Sequence, residues 1–325
     1  MSGVRPIFLL SLPRAGSTLL QRLLLADGRC ATLGEPSLLL RFLGEGDVMT
    51  RRSTYWEVLV DTATADMRAA WDGYDETYRK GIRELVTSIY QGLAGGKEWF
   101  LDKTPRYTLI AEELIRTFPD AKFIVLWRHP LAVAASISST FRKGRWCPDE
   151  FAIDLYEGQA RLQAFAEKHA GSICQVRYED LVSDPAGELE KIGAYLGWDG
   201  LLDVAERELV PTAGGSLGDP TGVKKYQKVS SASREAWKAK VDNWYRRAWV
   251  KRYVSGERAE HMRRLGYELP PELVAVPWWA GRPLAGVADW LAARRRIHRR
   301  LRQPTWLPRF AKKFRREHGY EIIFR

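Results

Sequence analysis

The stretch PIFLLSLPRAGSTLLQRLLLAD, residues 6–27, decides the fold class. Pro6 to Ser11 is a short apolar run of strand type, Leu12 to Gly16 brings a proline and a glycine together, and Thr18 to Ala26 has the leucine-rich spacing of a buried helix. Strand, tight turn and helix in that order make a βα unit. The pattern recurs along the chain. Cys30 to Gly34 reads as a second short strand that ends at Glu35, with Pro36 and Ser37 opening a helix. Tryptophan- and charge-bearing helical sequence fills Ser53 to Leu93, and Glu98 to Leu101 is a third strand that leads into Asp102-Lys103-Thr104-Pro105. Tyr107 to Phe118 has helical spacing, Ala121 to Trp127 is a fourth strand, and Leu131 to Phe141 is a helix that Pro130 can open without losing a backbone donor. Phe151 to His169 reads as one long amphipathic helix, Ser172 to Arg177 as a fifth strand, and Pro185 to Leu196 as a helix closed by Gly197. Alternation of this kind predicts a parallel sheet with helices on both faces, a three-layer α/β fold. Right-handed crossovers then bring every strand's C-terminal end to one edge.

Composition sets the outer limits. The 325 residues include 45% hydrophobic side chains, enough for a sizeable core. Three dispersed cysteines, Cys30, Cys147 and Cys174, with no CxxC pair, suggest neither a disulfide framework nor a zinc site and point to a reducing compartment. The only apolar run near the N-terminus, Ile7 to Leu12, is too short for a signal peptide or a membrane span, so a cytoplasmic location is expected. The net charge is +11, and the eleven cations between Arg294 and Arg316, uninterrupted by any Asp or Glu, account for all of it. The expected organisation is therefore an α/β domain over 1–269 and a helical basic extension over 270–325. Between them, the polar, glycine-rich Pro211 to Ser233 has the length of a binding loop or lid.

Two loops at the strand ends carry anion chemistry. In the first, the backbone amides around Gly16 and at the helix N-terminus would face the anion, the hydroxyls of Ser17 and Thr18 add donors, and Arg14 adds a permanent charge. An ordinary capped turn is the plain alternative. The segment lacks the Gly-x-x-x-x-Gly-Lys-[Ser/Thr] pattern, and the strand Phe123 to Trp127 ends in Arg128 rather than in an Asp that would hold Mg²⁺. Arg128 and Ser136, eight residues apart across a strand end and the following helix, can meet around a second anion. Two anion sites on one sheet edge suit a nucleotide with separated phosphate groups.

These residues resemble the PAPS-dependent sulfotransferases, in particular the bacterial members related to tyrosylprotein sulfotransferases. SLPRAGSTLLQRLL (residues 11–24) is similar to their 5′-phosphosulfate loop, and WRHPLAVAASISSTF (residues 127–141) to their 3′-phosphate motif. The resemblance spans about Ile7 to Trp237 and implies a P-loop-like fold. It also implies 3′-phosphoadenosine 5′-phosphosulfate (PAPS) as co-substrate, adenosine 3′,5′-bisphosphate as product and no metal. The family's catalytic glutamate, twenty-one residues after the loop arginine in a Gly-Glu context, falls on Glu35. Lys103 matches the lysine of the stretch ahead of the 3′-phosphate strand, Tyr178 matches a tyrosine contact to the nucleotide, and Lys228 lies in a segment similar to the one that closes over it. The implied catalytic set is Glu35, Arg14 and Lys103; the implied donor contacts are Arg14, Ala15, Gly16, Ser17, Thr18, Arg128, Ser136, Tyr178 and Lys228. None of the five histidines matches the histidine base of the small-molecule branch; His129, next to Arg128, reads as a turn or packing residue.

The acceptor is implied only as a hydroxyl of a carbohydrate, lipid or natural product. Residues 288–316 mix tryptophan, leucine and phenylalanine with the cations, which suits an anionic membrane surface or an acidic glycan; packing on the catalytic domain is the alternative, and nucleic acid lacks a recognition motif. A peripheral place at the inner membrane surface goes with the first reading. Two other functions stay open to the residues alone: a kinase-like phosphotransferase, and a non-catalytic protein that binds anions or membranes.

Overall fold

The computed structural model describes residues 3–44, 55–210, 229–230, 233–270, 273 and 281–301, with the side chains of 55–61 and 295–301 left aside. Five strands, β1 (Arg5–Ser11), β2 (Cys30–Thr32), β3 (Trp99–Asp102), β4 (Lys122–Trp127) and β5 (Cys174–Arg177), form a sheet in the order β2-β3-β1-β4-β5. Every pairing is parallel. The helices around it are α1 (Ser17–Asp27), α2 (Leu38–Leu43), α3 (Tyr55–Ala70), α4 (Tyr74–Leu93), α5 (Ala111–Thr117) and α6 (Pro130–Arg142), followed by α7 (Gln159–Lys168), α8 (Tyr178–Ser183) and α9 (Pro185–Leu196). Three more lie beyond the loop region: α10 (Trp244–Tyr253), α11 (Glu257–Arg264) and α12 (Pro283–Leu301).

The strands are apolar on both sides because both faces are covered. Phe8, Leu10, Phe100, Phe123 and Val125 pack with α4, α5 and α7 on one face. Ile7, Leu9, Leu101, Ile124 and Val176 pack with α1 and α9 on the other. A third cluster caps the C-terminal edge of the sheet, where Leu12 and Ala15 meet α6, Trp146, Trp237 and Trp249. The chain reverses its direction of travel across the sheet at β1, which has β3 on one side and β4 on the other. The crevice outside such a switch point is where open α/β sheets bind ligands, and the loops after β1 and β4 both open into it. The three cysteines are buried, and none is in a disulfide.

Three helical readings are corrected by the structure. The helix expected over 107–118 is split into a 3₁₀ segment, Pro105–Ile110, and the shorter α5, because Thr104 and Tyr107 are drawn to the buried Asp102. The long helix over 151–169 is a 3₁₀ turn (Pro148–Phe151), a π-helical turn (Ile153–Gly158) and α7. The widened turn sets Gly158 so close to Thr108 that a Cβ there would sit 2.9 Å from the Thr108 hydroxyl. The helical region over 235–264 breaks where Asn243 caps α10 through a 3.1 Å bond from the Arg246 amide, and again at Gly256, whose φ is 56°.

α12 docks on α10 through Asp289, which is buried and accepts from Arg246 Nε at 2.7 Å, Asn243 Nδ2 at 3.1 Å and the Trp146 amide at 3.1 Å. Leu284, Val287 and Leu291 remain exposed on the same helix. No helix among the described residues is long and apolar enough to cross a membrane.

Candidate active site

The loop after β1 is set by two unusual backbone positions. Arg14 has φ 67° and Gly16 has φ 98°, both in the left-handed region, and the Ala15 amide closes a turn onto the Leu12 carbonyl at 3.2 Å. Glycine is required at 16 for a second reason: a Cβ there would run into the ring of Tyr178. The first intrahelical bonds of α1 are donated by Leu19 and Leu20 to the Gly16 carbonyl. The amides of Gly16, Ser17 and Thr18 lie ahead of them at the helix N-terminus, and donors left there form a cradle that could hold an anion.

Arg128, at the end of β4, braces this cradle. Its guanidinium donates to the Arg14 carbonyl at 2.9 Å and to the Ser233 carbonyl at 3.1 Å, and it lies 4.3 Å over the Tyr178 ring. The Tyr178 hydroxyl is 2.5 Å from Ser233 Oγ. Burial sets the Arg128 guanidinium below its ordinary pKa, against the opposing influence of Tyr178 and Glu179, and its Nε has no hydrogen-bond partner among the described residues. Ser136 on α6 is reached from the first loop, accepting from Arg14 Nε at 3.3 Å. Arg14 thus ties the two arginine loops together. His129 is structural. Its Nδ1 caps α6 by accepting from the Leu131 amide at 3.2 Å, its ring stacks on Trp237 at 4.3 Å, and burial pushes its pKa down to about 4. Glu179 fixes the same turn from α8, accepting from the His129 amide at 3.0 Å and the Tyr267 hydroxyl at 2.9 Å.

On the other side of β1, Lys103 Nζ donates to Glu35 Oε1 at 2.8 Å. The lysine side chain is 1% exposed and the glutamate 24%, so the buried ammonium meets its counter-charge on a carboxylate that still reaches the crevice. The loop that carries Glu35 is held from α1 by Gln21, whose Nε2 donates to Thr32 Oγ1 at 2.8 Å and to the Gly34 carbonyl at 3.3 Å.

Arg14, Glu35, Lys103, Arg128, Ser136 and Tyr178 therefore share one edge of the sheet, as the strand order requires. Lys228 lies outside the described residues, as does most of the loop over 211–233. The two ends of that loop are pinned: Arg22 binds the Leu209 and Val210 carbonyls at 2.8 and 2.9 Å, and Arg128 binds Ser233. Sequence reading missed Gln21, Arg22, Asp102, Thr104 and Ser233. Asp102 and Thr104 stood beside Lys103 in a quoted motif, but nothing in one sequence tells a buried carboxylate from a turn residue.

The chain is similar to known proteins in sequence and in fold. The family model described as "Sulfotransferase family" matches residues 6–202, a span that contains β1 but for Arg5, the other four strands, both arginine loops, Glu35, Lys103 and Tyr178. The nodulation protein NoeE of Sinorhizobium fredii (strain NBRC 101917 / NGR234) is 29% identical over 256 residues, which cover 72% of this chain and 60% of that protein's length. Among solved structures, the sulfotransferase domain from the curacin biosynthetic pathway matches with a TM-score of 0.55 at 24% identity, over 83% of this chain and all of that one (100%). The sulfotransferase domain from the Synechococcus PCC 7002 olefin synthase matches with a TM-score of 0.50 at 23% identity, over 83% of this chain and 98% of that one. At those identities the two structures attest the fold, and the family model, which spans more than half of the residues, attests the lineage: the chain belongs to the sulfotransferase family.

Proposed function

We propose that the protein transfers a sulfuryl group from PAPS to a hydroxyl of its acceptor, with Glu35 as general base. The observation that carries this reading is the 2.8 Å Lys103–Glu35 pair, set beside the Arg14–Gly16 cradle by a sheet that brings together residues 68 positions apart. Two features fit the donor. The missing Cβ at Gly16 keeps the cradle open against Tyr178, and Arg128 Nε is buried without a hydrogen-bond partner among the described residues. Arg14, Ala15, Gly16, Ser17 and Thr18 would hold the phosphosulfate; Arg128, Ser136 and Tyr178 would hold the 3′-phosphate end, with Lys228 closing over the nucleotide.

In the transfer, the acceptor oxygen forms a bond to sulfur while the bond from sulfur to the donor's phosphate oxygen breaks. Glu35 takes the acceptor's proton, and the electron pair of the broken bond leaves on the phosphate of adenosine 3′,5′-bisphosphate. Arg14 and Lys103 stabilise that growing charge, and preorganised donors of this kind are worth about 2.7 to 4 kcal/mol each in a water-excluded site. Lys103 is suited to the task because its ammonium is already desolvated and can turn from Glu35 towards the leaving oxygen.

Calorimetry with adenosine 3′,5′-bisphosphate in the presence of EDTA, together with transfer of label from ³⁵S-PAPS into acceptor extracts, tests the reading. Micromolar binding and labelled product are expected. No heat of association would overturn the donor assignment, and Mg²⁺-dependent ATP binding in its place would favour a phosphotransferase.

For the extension over 270–325, we favour an anionic membrane surface as partner. Leu284, Val287 and Leu291 recur at helical spacing on the exposed side of α12, and the helix runs on into Arg294, Arg295, Arg296, Arg299 and Arg300. In vesicle co-sedimentation with phosphatidylglycerol, replacing the three apolar residues by serine in the full chain should abolish binding. Unchanged binding would overturn the assignment.

A further inference from the structure

We propose that Asp102 is the positioning residue for the Glu35–Lys103 pair, acting through the hydroxyls of Thr104 and Tyr107. The inference rests on the reading of Glu35 as base.

Asp102 is the last residue of β3 and fully buried, at 0% exposure. Three hydroxyls converge on its carboxylate: Tyr90 at 2.5 Å, Tyr107 at 2.9 Å and Thr104 at 3.0 Å. A hydroxyl has one proton to give, so each that donates to Asp102 presents only lone pairs elsewhere. Thr104 Oγ1 uses its free lone pair to accept from the Ser37 amide at 3.1 Å, and the Tyr107 hydroxyl accepts from the Leu39 amide at 3.1 Å. Ser37 and Leu39 lie two and four residues beyond Glu35, and Ser37 is held at φ 55°. One buried carboxylate therefore dictates the direction of two hydrogen bonds that clamp the Glu35 loop. The same strand end carries Lys103. Base and lysine are thereby referenced to a single point, which is what fixes a 2.8 Å pair between segments so far apart in the chain.

Tyr90 provides the internal control. It donates to the same carboxylate and stacks on Phe100 at 4.3 Å, but among the described residues it makes no hydrogen bond to the Glu35 loop. If Asp102 served only to satisfy the core, all three hydroxyls would matter alike. As a relay, only Thr104 and Tyr107 bear on chemistry.

The test is steady-state kinetics with adenosine 3′,5′-bisphosphate affinity and melting temperature measured alongside. Thr104→Val and Tyr107→Phe should each lower kcat by about 10- to 100-fold, the size expected for a misplaced catalytic group, and leave nucleotide affinity within about twofold. Thr104→Ser should restore kcat to within about threefold. Tyr90→Phe should lower the melting temperature with kcat retained. Wild-type kcat in both Thr104→Val and Tyr107→Phe would overturn the relay, as would a loss in Tyr90→Phe equal to theirs. Glu35→Gln separates the two layers of the argument: if it is inactive while the relay variants are active, only the relay fails, and if it is fully active, the base assignment fails beneath it.

Discussion

The two sides of the crevice are built by different means. On the side of Arg128, a guanidinium is held by backbone carbonyls and an aromatic face, and the residues that meet there come from loops whose motifs are contiguous in sequence. On the side of Glu35, a salt bridge is held by hydroxyls ordered on a buried carboxylate, and its members come from two segments far apart in the chain, 35–39 and 102–107. The first arrangement fits the role proposed for it, the grip on a charged nucleotide. The second fits the role proposed for Glu35, the placing of a base against a reacting oxygen, which is sensitive to fractions of an ångström.

Variants that act on one side and spare the other sharpen this contrast. The largest effect is expected at Glu35. Glu35→Gln should reduce kcat by about 10²- to 10⁴-fold, the usual weight of a general base, while calorimetry finds unchanged affinity for adenosine 3′,5′-bisphosphate. A matching loss of affinity would merge the two sides into one. Arg128→Met comes next and should behave in the opposite way. Removing charge-assisted contacts worth about 1.5 to 3 kcal/mol should weaken nucleotide binding by roughly 10- to 100-fold, with the loss appearing in KM for PAPS before kcat. Unaltered affinity in that variant would remove Arg128 from the donor site.

The smallest effect is on stability, and it too has opposite signs on the two sides. Burial raises the Asp102 carboxyl from 3.8 to about 6, so the fold favours its protonated form; that contribution is complete below pH 3.8 and is lost as the pH rises to about 6. Burial lowers the His129 imidazole from 6.5 to about 4; its contribution is complete above pH 6.5 and is lost as the pH falls to about 4. Each amounts to about 3 kcal/mol by linkage, and they oppose one another over nearly the same window. Chemical denaturation from pH 4 to 6.5 should show it. Relative to wild type, Asp102→Asn should gain stability as the pH rises, and His129→Asn should lose it. Parallel slopes in the two variants would contradict the assignment of one group to each side.

Legibility in the sequence follows the same division. The five strands, their parallel sense and the two arginine loops were readable because each is local: an apolar run, a Pro-Gly turn and a helical period signal themselves within about 25 residues. Helix continuity was misread at Tyr107, where the hydroxyl is bound to the buried Asp102, and at Phe151, where a π-helical turn brings Gly158 close to Thr108; periodicity alone carries through both. Ser136 was expected to share an anion with Arg128, and the structure adds a contact that this reading did not contain, from Arg14 Nε to the Ser136 hydroxyl. No spacing rule contains that contact.

By itself, the sequence determined that Arg14, Glu35, Lys103 and Arg128 would face a common edge, since parallel strands joined by right-handed crossovers leave no other place for residues at their C-terminal ends. Which side chains touch was decided only by the tertiary structure. Glu35 with Lys103, Arg14 with Ser136 and Asp102 with its three hydroxyls are pairings between elements whose relative placement depends on strand order and on the packing of two sheet faces. Chain periodicity specifies which face of an element is buried, not which neighbour it is buried against.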